Sequence, residues 1–370
     1  MAVDANGTNG NGVVAHIDDP EAVRTAHREP LKPSGKLAEF KSFDVTPVIG
    51  TEFPEVKLVD WLDAPNSDEL LRELAITVSR RGVVIFRAQD GITTEHQKEL
   101  ARRLGKLSGG PATSDLHIHP VNNSRQNPGV DDYISMVGDK QVKNYGGIGG
   151  ALSNNADGKR QSSRQEWHTD IQWERVPCDY SVLRMEVIPP TGGDTMYASG
   201  YEVYDRISAP YQKFLESLSV TCSQVKYVEA AKKLGIELFE GPRGAPENTG
   251  IDLAAVHPLV RTNPVTGWKS IFGAGIHIEK INGLSPAESD HLKDVFLRLI
   301  VENHDLQARC KWQNPNDVAI WDNRSVFHAA TVDYSGARRG YGARSIGEPP
   351  YFDPESISRR QGLYAEATQA

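Results

Sequence analysis

The four residues Trp167-His168-Thr169-Asp170 are the stretch around which this chain is organised. His168 and Asp170 are two positions apart, so an extended backbone would point both side chains to the same face of a strand. The imidazole of His168 and the carboxylate of Asp170 would then point into the same space. A second imidazole would complete a set of two histidines and one carboxylate, which leaves open positions on a metal and is typical of non-haem Fe(II) oxygen chemistry.

His328 is the candidate for that second imidazole. It follows the apolar run Val318-Ala319-Ile320-Trp321, which has the character of a strand. Arg339, further along the chain, offers a fixed positive charge suited to a carboxylate. Taken singly, each of these residues could also be an ordinary polar or core side chain, so the prediction depends on their meeting at one point.

Length, charge and cysteine content narrow the classes of function. With 370 residues, 38% of them hydrophobic, the chain can build a sizeable core in one large or two ordinary domains. Its net charge of −8 argues against nucleic acid or an acidic membrane surface as the main partner. Three widely spaced cysteines without a CxxC pair argue against a disulfide framework and favour a reducing compartment. Because the sequence contains neither a long apolar run nor a signal-peptide pattern, we expect a cytoplasmic protein.

The order of apolar runs and turn residues predicts a β-rich α+β fold. Ser67 to Arg81 has the cap and apolar stripe of a helix, and Val83 to Phe86 has the composition of a buried strand. Ser285-Pro286-Ala287-Glu288 combines a cap, a first-turn proline and a capping-box glutamate. Strands flanked by a few helices then suggest a sandwich or a barrel.

Three segments are expected to lie outside the folded core. Residues 1–40 are rich in Gly, Asn, Pro and isolated charges, which predicts a disordered N-terminal tail. Residues 357–370 are expected to form a C-terminal tail. The glycine-rich stretch 137–166 leads directly into His168, and a loop of this length is either an active-site lid or a mobile surface insertion.

Several motifs, in consistent order from Phe43 to Phe352, together resemble the taurine dioxygenase (TauD/TfdA) family, and in particular its fungal branch. A lone HxD is weak evidence, but its combination with the other motifs is specific. The motifs are Trp167-His168-Thr169-Asp170, Pro190-Thr191-Gly192-Gly193-Asp194-Thr195, Ala319-Ile320-Trp321-Asp322-Asn323-Arg324, and His328 with Arg339. The resemblance implies an Fe(II)- and 2-oxoglutarate-dependent dioxygenase that uses O₂. It also implies a double-stranded β-helix (jelly-roll) core with flanking helices, in a single domain over residues 41–356.

The resemblance also implies the residues that hold the metal and the co-substrate. By position, His168, Asp170 and His328 would bind iron. Thr195 and Arg339 would hold the carboxylates of 2-oxoglutarate, with Arg339 chosen over its neighbour by counting from His328.

On the substrate side, the match to the taurine site is partial. His119 matches a substrate-side position, and Arg344 matches the arginine that grips the sulfonate if one extra residue is allowed. Asn122 stands where the taurine site has a tyrosine, and Arg164 stands where it has an asparagine. All four are candidate substrate-binding residues, and the two departures leave the substrate open.

The expected activity is hydroxylation of a small organic molecule, with release of succinate and CO₂. Arg344, Arg164 and His119 favour an anionic substrate such as a sulfonate, a sulfate ester or a carboxylate. A neutral heterocycle such as a purine, or a secondary-metabolite intermediate, is the alternative within the same chemistry. A non-catalytic jelly-roll binding protein is the alternative from another class, and the lack of an HExxH motif disfavours a zinc hydrolase. Members of the family are often dimers or tetramers, so a homo-oligomer is an open expectation.

Overall fold

Two facing β-sheets form the centre of this computed structural model, which describes residues 26–121, 131–138, 164, 166–235 and 237–369. The strands in chain order are β1 Phe43–Asp44, β2 Thr51–Phe53, β3 Val83–Phe86, β4 Ser135–Gly138, β5 Cys178–Val187, β6 Thr195–Ser199, β7 Ser219–Ser223, β8 Ala254–Pro258, β9 Val260–Asn263, β10 Trp268–Ile271, β11 Ile278–Ile281, β12 Gln307–Cys310, β13 Asp317–Asp322, β14 Val326–Ala330 and β15 Arg339–Ile346. The α-helices are α1 Leu58–Asp63, α2 Ser67–Arg81, α3 Thr94–Leu107, α4 Gly200–Asp205, α5 Ala209–Leu215, α6 Val225–Leu234, α7 Pro286–Glu302 and α8 Arg359–Gln369.

The larger sheet has seven strands in the order β1-β2-β3-β13-β5-β15-β4. Its pairs are antiparallel except for β2 with β3, which is parallel. The facing sheet has the order β12-β6-β14, and two smaller sheets have the orders β11-β7-β8 and β10-β9. Helices cover the outer faces, so the expected β-rich α+β class is confirmed.

Alternation along the strands separates two apolar layers. On β3, Val84 packs with the α2 residues Leu71 and Leu74 on the helical side of the larger sheet. The next residue, Ile85, points to the other side and packs with Tyr197 of the facing sheet. Because successive side chains of a strand point to opposite faces, one sheet can bury both a helix layer and an inter-sheet layer. The space between the two sheets therefore receives side chains from both of them.

Two helices begin where the sequence predicts. Helix α2 spans Ser67–Arg81 and ends at Gly82, which adopts a positive φ of 77°. Helix α7 begins at Pro286, and Ser285 and Glu288 form the reciprocal capping box that was predicted from their spacing.

The N-terminal tail expected over residues 1–40 is corrected for its described part. The Arg28 guanidinium donates to the carbonyl of Ser108 at 2.7 Å, and the Leu31 amide donates to that of Val265 at 2.9 Å. A 3-10 helix at Lys36–Glu39 buries Leu37. These contacts attach residues 26–40 to the domain. Residues 1–25 lie outside the described residues.

The C-terminal tail expected over residues 357–370 is corrected in the same way, because α8 packs on the domain. The guanidinium of Arg359 donates to the buried carboxylate of Glu202 at 2.9 Å, and Gly362 lies against the indole of Trp268. The domain therefore extends beyond the expected limits of 41 and 356. Of the expected lid at 137–166, residues 139–163 and 165 lie outside the described residues. Among the helices described, none has the length and apolar character that crossing a bilayer requires.

A buried ion pair at the end of β13 provides a test of the core. Arg324 donates to both oxygens of Asp322, at 2.7 and 2.8 Å, with each side chain at most 1% exposed. We expect Asp322→Ala to lower the free energy of unfolding by about 3–5 kcal/mol, because it leaves a buried guanidinium without its partner. The control is Glu366→Ala, which breaks the surface pair with Arg80 and should cost about 1 kcal/mol or less. Equal losses for the two variants in urea unfolding would contradict this account.

Candidate active site

A short antiparallel pairing brings the two histidines face to face. The His168 amide donates to the His328 carbonyl at 3.0 Å, and the His328 amide donates to the His168 carbonyl at 2.8 Å. Residues that exchange both backbone bonds lie directly opposite each other, with side chains on the same face. The two imidazole centroids are consequently 4.2 Å apart. Strand β14 is itself fixed against β6, where His328 lies opposite Tyr197.

Asp170 completes the three-residue cluster that the sequence predicted. Its Oδ1 atom lies 3.7 Å from Nε2 of His168 and 3.7 Å from Nε2 of His328. One ligand atom from each residue lies within 4.8 Å of the other two, so the three could hold one metal ion. The structure thus brings His328 to the pair His168 and Asp170, which lies far from it along the chain.

The orientation of the two imidazoles fits a metal site. Nδ1 of His168 donates to the carbonyl oxygen of Glu166 at 2.6 Å, so Nε2 is the ring nitrogen that faces Asp170. Burial lowers the pKa of His328 to about 3, so its ring is neutral. Two imidazoles and one carboxylate are a donor set that suits Fe(II).

The second oxygen of Asp170 is used by neighbouring side chains. The Ser181 hydroxyl donates to Oδ2 at 2.7 Å, and Nε of Arg344 lies 2.9 Å from the same atom. Burial raises the pKa of Asp170, but the positive charge of Arg344 and the hydrogen bond from Ser181 act in the opposite direction, and this pKa lies well below its usual range. The carboxylate is therefore ionised and is oriented with Oδ1 toward the histidines.

Asn323 fixes this arrangement through hydrogen bonds with both Asp170 and Ser181. Its side-chain oxygen accepts from the Asp170 amide at 3.0 Å, and its side-chain NH₂ donates to the Ser181 hydroxyl at 2.9 Å. Trp321 donates to the same side-chain oxygen at 3.0 Å. Sequence reasoning quoted Asn323 only as part of a motif and did not identify Ser181. The position of Asn323 within that motif is the signal that could have pointed to it.

The backbone around the motif is strained and closely packed. Glu166 and Ile171, which flank the four central residues, have φ values of 70° and 46°, and such values are unusual for a non-glycine residue. Gly275, with φ of 100°, lies against the same strand, and a Cβ atom there would sit 2.6 Å from the Trp167 carbonyl oxygen. The next amide, that of Ile276, donates to that carbonyl at 3.0 Å. A loop without a side chain at 275 therefore fixes the strand that carries His168.

A cavity of about 270 Å³ between the sheets opens onto the three-residue cluster. Three of the predicted site residues, Thr195, His119 and Arg344, line it. The hydroxyl of Thr195 accepts from the indole of Trp312 at 3.2 Å. His119 is buried, which holds its pKa well below the usual value, and its Nδ1 accepts from the Val121 amide at 3.2 Å. The neutral ring of His119 then carries its proton on Nε2 and can donate there.

The structure places Arg338, and not the predicted Arg339, in the cavity. Arg339 points away from the cavity, and its Nε donates to the carboxylate of Glu186 at 2.7 Å. Arg338 is buried and lines the cavity, and its Nε donates to the Gly193 carbonyl at 2.9 Å. Side chains alternate along a strand, so Arg344, which lies in the cavity, shares its face with Arg338 and not with Arg339. Counting back from Arg344 in steps of two leads to Arg338, the arginine that lines the cavity.

The other two predicted substrate residues have different outcomes. Asn122 lies outside the described residues, so its prediction stays open. Arg164 forms an ion pair with Asp294 of α7 and is absent from the described lining of the cavity. The structure adds Lys226 and His277 to the lining, which sequence reasoning missed because neither lies in a recognisable motif.

Ser181 offers a test of how the carboxylate is held. We expect Ser181→Ala to weaken Fe(II) binding by about 10–100-fold, because a hydrogen bond that orients a metal ligand is lost. The measurement is an anaerobic Fe(II) titration. The control is Ser289→Ala, which removes a buried serine hydroxyl that accepts from the Ile281 amide at 2.9 Å, far from the cluster along the chain. Equal Fe(II) affinity for the two variants would contradict the role given to Ser181.

Comparison with known proteins agrees with this geometry. The model of the family described as "Taurine catabolism dioxygenase TauD, TfdA family" matches residues 41–345. The alpha-ketoglutarate-dependent dioxygenase btcD of Neocamarosporium betae is 51% identical over 342 residues, which cover 90% of this chain and 98% of that protein. The alpha-ketoglutarate-dependent sulfonate dioxygenase of Saccharomyces cerevisiae is 31% identical over 306 residues, which cover 80% of this chain and 64% of that protein.

A solved structure shows the same fold. The crystal structure of a taurine dioxygenase from Burkholderia xenovorans matches with a TM-score of 0.61 at 21% identity, over 86% of this chain and 94% of that chain. The expected jelly-roll core is thereby confirmed. The chain belongs to the TauD/TfdA family of alpha-ketoglutarate-dependent dioxygenases, enzymes that use Fe(II), 2-oxoglutarate and O₂.

Proposed function

We propose that this enzyme hydroxylates a small anionic organic molecule, with His168, Asp170 and His328 as the Fe(II) ligands. A sulfonate, a sulfate ester or a carboxylate is the substrate class. The observation that carries this proposal is Arg344, whose side chain is only 15% exposed, lines the cavity and lies beside the proposed metal ligand Asp170. A cation held at this place favours a negatively charged group close to the metal.

The iron, with 2-oxoglutarate and O₂, supplies the oxidation of a C–H bond while the co-substrate is converted to succinate and CO₂. The protein supplies binding, orientation and exclusion of water. The two histidines and Asp170 would hold the ion through three ligand atoms, and the cavity that they line would admit its remaining ligands.

Arg338 is the residue we propose for the far carboxylate of 2-oxoglutarate. It is a buried cation in the cavity wall, and the Gly193 carbonyl fixes its guanidinium two residues before Thr195. A charge-assisted bond from Arg338 and a hydroxyl bond from Thr195 would together bind that carboxylate. This assignment replaces Arg339.

Anion binding near the metal is supported by the charge of the cavity. Arg344, Arg338 and Lys226 are cationic residues in the described lining. The carboxylate of Asp170 faces the histidines and Arg344, so it would be shared between the metal and that guanidinium. The relative from Saccharomyces cerevisiae is named a sulfonate dioxygenase, which agrees with an acidic substrate here.

A cytoplasmic location is part of the proposal. Cys178, Cys222 and Cys310 are all unpaired and buried, as expected in a reducing compartment. The partner we propose is a small molecule.

The adjacent arginines give a matched pair for testing the co-substrate site. We expect Arg338→Gln to weaken 2-oxoglutarate binding by about 2–5 kcal/mol, because the far carboxylate would be left without its charged partner. Arg339→Gln should leave it nearly unchanged, because this side chain bonds Glu186 outside the cavity. The measurement is the Kd of 2-oxoglutarate for the Mn(II)-loaded protein. A larger effect at Arg339 than at Arg338 would reverse the assignment.

The substrate class is tested by a screen. Wild-type enzyme with Fe(II) is offered alkanesulfonates, alkyl sulfates, carboxylates and uncharged purines, and succinate formation is measured. We expect one or more of the anions to stimulate turnover. Arg344→Gln should lower kcat/KM for that anion more than about tenfold at saturating Fe(II), since a charged partner is lost. Stimulation by uncharged compounds alone, or an unchanged kcat/KM in Arg344→Gln, would contradict an anionic substrate.

A further inference from the structure

The loop before β11 brings another histidine into the cavity. His277 is 5% exposed and lines the cavity, and its ring centroid lies 5.6 Å from that of His168. Its backbone is fixed, because its carbonyl accepts from the Ser223 amide at 2.9 Å. The adjacent amide of Ile276 is bonded to the strand that carries His168. The imidazole is therefore held in place at the cavity wall.

One ring nitrogen of His277 forms no hydrogen bond with the described part of the chain. Its buried Nδ1 atom has no hydrogen-bond partner among the described residues. A buried polar atom left without a partner destabilises a folded protein, so such atoms are rare. His277 also lies outside the three-residue metal cluster. A ligand in the cavity could supply the partner that the protein does not.

Lys226 adds a positive charge on the same side of the cavity. It lies in the first turn of α6, lines the cavity, and its charge acts on both His277 and Glu166. Glu166 also lines the cavity and is the acidic side chain beside Lys226. Arg344, in contrast, belongs to β15, so the two cationic regions come from different elements of the wall.

We propose that His277 and Lys226 form a second anchor for the primary substrate, which binds an oxygen anion such as a carboxylate. The substrate would then carry two acidic groups, one held at Arg344 and the other at this second anchor. This inference rests on the proposed function, because it assumes that the substrate enters the same cavity. It narrows the proposed substrate class from small anions in general to molecules that carry an acidic group at each end.

The test uses the full chain loaded with Mn(II) and N-oxalylglycine, and isothermal titration with paired sulfonates. One member of each pair ends in a methyl group and the other in a carboxylate, in a series with spacers from propane to hexane. We expect wild-type protein to prefer the carboxylate member by about tenfold or more at one spacer length, the value of one hydrogen bond to a charged group. His277→Phe and Lys226→Gln should lose this preference, and His277→Gln should keep part of it. Lys233→Gln, an exposed position on the same helix, is the control that should keep all of it.

Three results would overturn the second anchor. The first is that wild-type protein shows no preference for the carboxylate member, including the case in which it binds neither member. The second is an unchanged preference in His277→Phe. The third is tighter binding of an amine-ended sulfonate, which would assign this place to Glu166. Failure of the wild-type protein to bind Mn(II) and N-oxalylglycine would instead count against the proposed function. The same loading measured in each variant shows whether a lost preference reflects the anchor or a damaged fold.

Discussion

The active site depends on one backbone pairing, the reciprocal hydrogen bonds between His168 and His328. These bonds place two residues that are distant in sequence directly opposite each other, with both imidazoles on one side. The period of two along the strand then adds Asp170 to the same side. The backbone thus places all three proposed ligand residues on one side of the site. A shift of either strand by one residue would turn its ligand to the other face.

Asp170 connects the metal site to the rest of the cavity. One of its oxygens faces the two histidines, and the other is shared by Ser181 and Arg344. Because Arg344 also lines the cavity, the charge that stabilises the metal ligand is the charge proposed to attract the substrate. Asn323, placed behind both Asp170 and Ser181, makes the carboxylate rigid. Metal binding and substrate binding are therefore expected to be coupled through Arg344.

The sequence was informative where chemistry follows local spacing. The two-residue spacing of His168 and Asp170, and the capping box at Ser285 and Glu288, are local patterns, and the structure contains both arrangements. Counting from His328 led to Arg339, whereas Arg338 lines the cavity, because this count crosses a loop whose length does not fix which residue of the next strand faces inward. His277 could not be found at all, since a tertiary contact of its loop with Trp167 brings it to the cavity.

The terminal segments show a different limit. The composition of residues 1–40 predicts disorder, and residues 357–370 were expected to form a tail, yet residues 26–40 and helix α8 attach through a few specific bonds, such as Arg28 to Ser108 and Arg359 to Glu202. Composition averages over a segment and does not register single contacts of this kind. The substrate also could not be predicted from local sequence patterns, because the cavity wall is assembled from both sheets and from loops between them.

The most direct measurement is a crystal structure of the protein with Mn(II) and N-oxalylglycine bound. The account predicts one metal ion coordinated by Nε2 of His168, Nε2 of His328 and Oδ1 of Asp170, with the far carboxylate of the analogue at Arg338. A metal ion that lacks any one of these three ligands, or an analogue that turns its far carboxylate away from Arg338, would contradict it.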